Sequence, residues 1–469
     1  MNAPALAPDV LRLPVPRALL RLALPIFASQ ILRLAFQWVD ALWVRGLGVD
    51  ATAAITTSVF VMWAVLALYD IFGYGLGAYV SQLVGAGERQ RAGLAAWKGI
   101  RASGAIGLVG TTAGLFFARP IYSVMASDPG VVAAGASYLG IVLLATPLLM
   151  MSLSCEAVLR ASGDTRTPLL VDLGAVALNA VLAPLLIYGI GPFPRMEVAG
   201  AALATVAAQV VMFACYATLA LRRHPSLPLA RRADGPPVQV LGMARVGLPV
   251  AAISILFAVV YIAFTRAASA WGPAAVAVVG IVNRVEAIQF VVSAASGFAA
   301  AIIVGQSLGA GMPERAAEAI RTGQRWAVGF SLGLTALYLV WPRLFLAMFT
   351  QDPQVFALGE PYMRVIAVTL MATGLEIVTA EAVMGSGHTL AISWIYTVVS
   401  LARIPLAFLV PLWTGGGLQA IAWLITISCI LRTAAILWWA ARGTWKSGLA
   451  KELRTREPAA AAEDPGAAL

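Results

Sequence analysis

Asp40 stands in the stretch FQWVDALWV and is the only acidic residue well inside the first long apolar run. An ionised Asp near the centre of a membrane-crossing helix costs about 2.5–3.5 kcal/mol on insertion scales, so such residues are retained for a reason. A carboxyl there can exchange a proton or attract a cation; the alternative is an interfacial pair with Arg45. Gln37 lies three residues before Asp40, and Gln209 four after Thr205. Helical spacing sets each pair on one face, where it suits substrate contact and interhelical hydrogen bonding equally. Trp38, beside Asp40 with Phe36, would line an apolar cavity, whereas tryptophans such as Trp43, Trp341, Trp413, Trp438 and Trp439 read as interface anchors.

Further charges fall in or near apolar runs: Asp70, Glu156, Asp172, Arg266, Arg284, Glu286, Glu376, Glu381 and Arg403. Glu286 is the candidate in the second half for attracting a cationic substrate, against an internal pair with Arg284 two residues away. Glu376 and Glu381 are weaker candidates, and Glu156 and Asp172 fit gating or interfacial solvation as well as substrate contact. His224 and His388 lack metal-ligand spacing. Cys155, Cys215 and Cys429 fall inside apolar runs without CxxC spacing and read as small buried hydrophobes. No Ser/His, Cys/His, metal or paired-carboxylate arrangement points to an enzyme, so no metal or cofactor is expected. Nothing resembles a channel selectivity filter.

The elements that must position these residues are membrane helices. Hydrophobic residues make up 60% of the 469 and charged ones 12%, about half the usual share of soluble domains. With a mean hydropathy of +0.86, an all-α integral membrane protein follows. Barrel strands would alternate over about ten residues, whereas these runs are about twice that length and apolar all round. Twelve spans are expected near 18–44, 53–80, 99–119, 135–158, 168–190, 197–221, 242–266, 274–303, 324–346, 362–385, 390–412 and 417–441. The first is too long for a signal peptide and lacks a cleavage pattern. With the N-terminus inside, 22 of the 32 basic residues fall in inside segments. This bias predicts both termini in the cytoplasm, and it accounts for the net charge of +10 without a nucleic-acid partner. Asp40, Tyr138, Asn179 and Thr205 then lie at depths compatible with one cluster in the outer half.

The chain carries one pattern twice. VSQLVGAGERQRAGLAAWKG from Val80 recurs as VGQSLGAGMPERAAEAIRTG from Val304, 224 residues on. At the same offset Leu24-Pro25 matches Leu248-Pro249, Gly48 matches Gly272, Asp128-Pro129 matches Asp352-Pro353, Tyr138 matches Tyr362 and Ser162-Gly163 matches Ser386-Gly387. Two pseudo-symmetric six-helix bundles are therefore expected, inserted in the same sense and able to rock about a central site. Their boundaries read as a first lobe 1–221, a basic, proline-rich cytoplasmic linker 222–241, a second lobe 242–441 and a tail 442–469, disordered beyond about Arg456. At each Gly-Ala-Gly the helix should end and a short amphipathic interfacial segment begin. A phosphate-cradling loop is disfavoured, because no Walker Lys-Ser/Thr follows.

The stretches LALPIFASQILRLAFQWVDALWVRGLG, VSQLVGAGERQRA, LRASGDTRTPLLVDLGAVALNAVLAPLL and VAGAALATVAAQ resemble the multidrug and toxic compound extrusion (MATE) transporters. The region from VGLPVAAIS to MGSGHTLAISWIYTVVSLARIPLAF resembles their second lobe, and the likeness covers about residues 17–441. It implies secondary active export of organic, often cationic compounds against proton or sodium entry, by a monomer in the plasma membrane (the inner membrane, if bacterial). It implies a coupling role for Asp40, with Asn179 beside it and Tyr138 and Thr205 lining the same cavity. One position departs from the pattern: many relatives carry an Asp four residues after the fifth-helix Asn, where this chain has Ala183. That weakens sodium coordination more than proton binding, since sodium needs several oxygens. A lipid or lipid-linked glycan flippase of the same superfamily is the alternative, disfavoured by twelve spans and Asp40.

Overall fold

The computed structural model describes residues 8–125 and 129–449; some side chains, among them those of Gln37, Trp38, Asp40 and Arg45, fall outside the described set. Among the described residues the chain is helical and has no strand. The first lobe contains α1 (Pro8–Arg12), α2 (Val15–Val44), α3 (Val49–Gly85), α4 (Arg89–Met125), α5 (Pro129–Leu144), α6 (Thr146–Ala161), α7 (Arg166–Tyr188) and α8 (Glu197–Leu221). The second contains α9 (Val240–Ala268), α10 (Pro273–Gly309), α11 (Pro313–Val340), α12 (Pro342–Ala347), α13 (Pro353–Met384), α14 (Thr389–Thr414) and α15 (Gly417–Ala441).

Ten of these helices are long and apolar enough to cross a membrane, and α5 with α6 forms an eleventh crossing bent by 51°. The twelfth is α11, whose 28 residues begin with a charged segment, Glu314 to Arg325, that lowers its hydropathy. The segment after each Gly-Ala-Gly is not a separate interfacial piece, as the sequence suggested. Arg89 and Pro313 begin α4 and α11, which run on unbroken into their spans. The glycines do end the preceding helices: α3 stops at Gly85 and α10 at Gly309, and Gly87 and Gly311 each adopt φ of +76°, a conformation that favours glycine.

The packing has a polarity. We term basal the end at which the described chain starts and finishes. Two basal cores are shared between the lobes. One joins Val15, Leu19, Leu22 and Ile26 of α2 to Ile303, Ala319 and Val383; the other joins Leu76, Val80 and Val158 to Met243 and Val246 of α9. The remaining three clusters are each confined to one lobe. The lobes therefore form a common core at the basal end and separate cores elsewhere. The tail contributes to the basal seal, because Trp445 and Leu449 are both buried.

Candidate functional site

A polar column runs through the first lobe. On α7 the buried residues Asp172, Ala175, Asn179, Ala183 and Ile187 recur every three or four positions and form one face. On α8 Thr205, Gln209, Met212 and Tyr216 form another. α2 packs against α7, and α7 against α8. On α2 helical spacing puts Ser29, Arg33, Gln37 and Asp40 along one side, although the last two side chains lie outside the described residues, as does that of Trp38.

Tyr138 is 8% exposed and packs in one cluster with Val44 of α2, Ala183 of α7 and Ala201 and Ala204 of α8. The structure thus brings Tyr138 to the neighbourhood of Thr205 and of the α7 face that carries Asn179. The Thr205 hydroxyl is satisfied within its own helix, donating to Ala201 O at 3.1 Å. Asn179 is 1% exposed, yet both its amide atoms lack a hydrogen-bond partner among the described residues. Gln209, at 9%, has an unpartnered Oε1. Orphaned amide atoms at such depth are uncommon, since each costs about 1–3 kcal/mol.

Sequence reasoning missed Arg33. Its Nη2 donates to both oxygens of Glu156 at 2.6 Å and lies 3.5 Å from Asp172 Oδ2. Arg160 pairs with the same Glu156. Two cations and two anions from three helices balance here. The Arg33 side chain is 39% exposed, while Glu156 and Asp172 are buried. An arginine seven residues before Asp40 inside an apolar run was a legible signal of this network.

In the second lobe, Arg284 is exposed and Glu286 is half-buried; no ion pair joins them among the described residues, and two residues on a helix point away from each other. Glu376 belongs to a closed pair. Arg432 Nε donates to its Oε2 at 2.9 Å and Nη2 to its Oε1 at 2.8 Å, while the guanidinium stacks 4.6 Å over Tyr396. Arg403 donates to Ser428 Oγ at 2.7 Å and Cys429 Sγ at 3.0 Å. Glu381 faces the other lobe, with Oε1 accepting from Tyr74 Oη at 3.1 Å. Asp70 accepts from Ser254 Oγ at 2.6 Å across the same seam. Of the three cysteines Cys155 and Cys429 are buried, but Cys215 is exposed on its span, so the expectation of burial fails there.

The repeated motif sits at the basal seam. Gln306 Nε2 donates to Ala161 O at 2.8 Å, and Gln82 Nε2 donates to Ser386 O at 3.0 Å, with Gly385 O 3.4 Å away. Ala161 and Gly385 are themselves 224 residues apart, as are the glutamines. Gly85 and Gly309 let the backbones touch: a Cβ at either would come 2.0 Å from the carbonyl oxygen of Gln306 or Gln82. Leu449 N–H donates to Gln82 Oε1 at 2.6 Å and adds the tail to this contact.

Two six-helix lobes with a shared basal core and a polar column inside one of them are the architecture of a two-lobe membrane carrier. The MatE family model matches residues 25–185 and again 249–409, two stretches offset by the same 224 residues. The chain belongs to the MatE family. It is 27% identical to the FAD transporter of Shewanella oneidensis over 80% of this chain and 83% of that one. It is 26% identical to the probable multidrug resistance protein NorM of Thermotoga maritima, over 94% and 95%. A crystal structure of MATE in the bent conformation superposes with a TM-score of 0.88 at 21% identity, covering 95% of this chain and 99% of that one. At that identity the likeness bears on the fold alone.

Proposed function

We propose that this carrier exports hydrophobic, often cationic small molecules in exchange for protons, by alternating access between its lobes. The basal end is taken as cytoplasmic, in keeping with the distribution of arginine and lysine. Asp40 is the titrating group, with Asn179 and Tyr138 as its hydrogen-bond partners and Thr205 beside them. Gln37, Trp38, Gln209 and Glu286 contact substrate. The observation that carries the coupling reading is Asn179: a buried amide with neither atom paired, on a helix packed against the one bearing Asp40. Protonation of Asp40 would cancel its charge and weaken its hold on a cation, which then leaves outward. Sodium is the lesser candidate, because Ala183 supplies no second carboxylate.

The test is transport in proteoliposomes with proton and sodium gradients imposed separately. An ethidium flux that follows the proton gradient supports the reading; one that follows sodium and ignores pH defeats the ion assignment. A second reading, transport of a flavin nucleotide, is favoured by the Shewanella relative. FAD belongs in the same assay for that reason. Movement of neither compound would shift weight to a lipid flippase.

A further inference from the structure

A cavity of about 700 Å³ opens at the basal end, apart from the polar column. Its wall comes from both lobes, the linker and the tail: Arg91 of α4, Pro236 of the linker, Arg245 of α9, Leu390 at the start of α14, Trp439 of α15 and Leu449. Among the described residues no aspartate or glutamate lines it. Arg91 is 6% exposed and ion-paired to Glu88, whereas Arg245 is exposed. The first turn of α14, Thr389 to Ala391, also forms part of the wall, and no side chain caps that 26-residue helix. Its leading N–H groups and the positive end of its dipole add to the exposed guanidinium of Arg245, while that of Arg91 is already paired with Glu88; these are the groups an anion in the cavity would meet.

The surroundings indicate what carries the anion. Leu390 is 62% exposed and Trp394 61% on α14; Leu241 is 60% and Leu248 59% on α9. On membrane-spanning helices such side chains face lipid. Trp439 and Leu449 add apolar wall to the cavity itself. A free inorganic anion would use the arginines and leave these groups without a partner. A phosphate attached to a glycerol with acyl chains would use both, its headgroup inside and its chains along α9 and α14.

We infer that this cavity binds the phosphate headgroup of an anionic phospholipid from the leaflet at the basal end. The bound lipid touches α4 of the first lobe, α9, α14 and α15 of the second, and the tail. It therefore braces the lobes in their basal-closed arrangement.

The test uses the full-length protein, delipidated in detergent and titrated with dioleoyl phosphatidylglycerol or dioleoyl phosphatidylcholine, with bound lipid counted by native mass spectrometry. Arg245→Gln removes a charge, and Leu390→Glu places a carboxylate at the mouth; both positions are exposed, so the fold tolerates the changes. Wild type should retain phosphatidylglycerol in preference to phosphatidylcholine, and each variant should weaken that retention about five- to tenfold. Glycerol phosphate, the soluble headgroup, should fail to compete. Competition as effective as that of the lipid would make the ligand a soluble phosphate and overturn the lipid assignment. Equal retention of phosphatidylglycerol by wild type and both variants would overturn the site.

Discussion

Replacing Gln306 or Gln82 by alanine tests whether the repeated motif closes the basal seam. Gln306 contributes one hydrogen bond between lobes, to Ala161 O at 2.8 Å, and its Oε1 is unpartnered. Among the described residues Gln82 contributes two good ones: to Ser386 O at 3.0 Å and from Leu449 N–H at 2.6 Å. The 3.4 Å contact with Gly385 adds little at that length. A net hydrogen bond is worth about 1 kcal/mol, so Gln306→Ala should shift the equilibrium away from the basal-closed arrangement about fivefold. On the same scale Gln82→Ala loses about 2 kcal/mol, a shift of about thirtyfold. The assay is a pulsed electron-spin distance between labels at Arg222→Cys and Met312→Cys, exposed residues on opposite lobes, with the exposed Cys215 replaced by serine. The long-distance population should rise in both variants, and more for Gln82→Ala. Unchanged distances in both, or a larger effect at Gln306, would refute the reasoning.

Gly85→Ala and Gly309→Ala each put a methyl 2.0 Å from a carbonyl oxygen that cannot yield without moving its helix; each should widen the same label distance as far as the glutamine variants do. Asp40→Asn should reach the membrane yet abolish efflux driven by a pH gradient, whereas Asn179→Ala should only slow it; wild-type transport by Asp40→Asn would transfer the coupling role to Glu286. Glu376→Ala strands the buried Arg432 and should lower stability by about 3 kcal/mol, read as a fall in melting temperature in detergent. Where that variant survives, its transport should keep the wild-type response to pH, because the pair is closed and does not take part in coupling.

The lobes and the number of crossings were legible because lipid requires long apolar runs and because the duplication keeps one offset over its length. The ends of the helices were not. The second span was expected to stop at residue 80, but α3 continues to Gly85, since Ser81 and Gln82 look like loop residues and are buried at the seam. The charged start of α11 looked like an interfacial segment for the same reason. It is held in line by partners far away in sequence: Arg315 donates to Val10 O and Leu13 O, and Lys446 pairs with Glu314. Glu376 remained open in the sequence because its cation lies 56 residues on, on another helix. In the sequence Asp172 fits gating, interfacial solvation or substrate contact alike, and only the fold shows that it shares a buried face of α7 with Asn179.

The duplicated motif meets a constraint that a single copy would not. When two like halves face each other across a pseudo-twofold axis, one patch must complement itself, offering donor and acceptor together. Each copy here does so. Gln82 and Gln306 supply the donors, the helix ends at Gly385-Ser386 and Ala161 supply the carbonyls, and each motif's final helical glycine receives the other glutamine's backbone. The symmetry is not exact: the better Gln82 bond falls on Ser386 O, one residue beyond the counterpart of Ala161, and of the two glutamines Leu449 N–H bonds to Gln82. A symmetric seam gives two equal contacts that open together. The added bond makes the Gln82 side the stronger, so the lobes should part first at Gln306. The cavity lined by Leu449 and Arg245 lies where the tail reinforces closure. A lipid held there would strengthen the contact that already opens last.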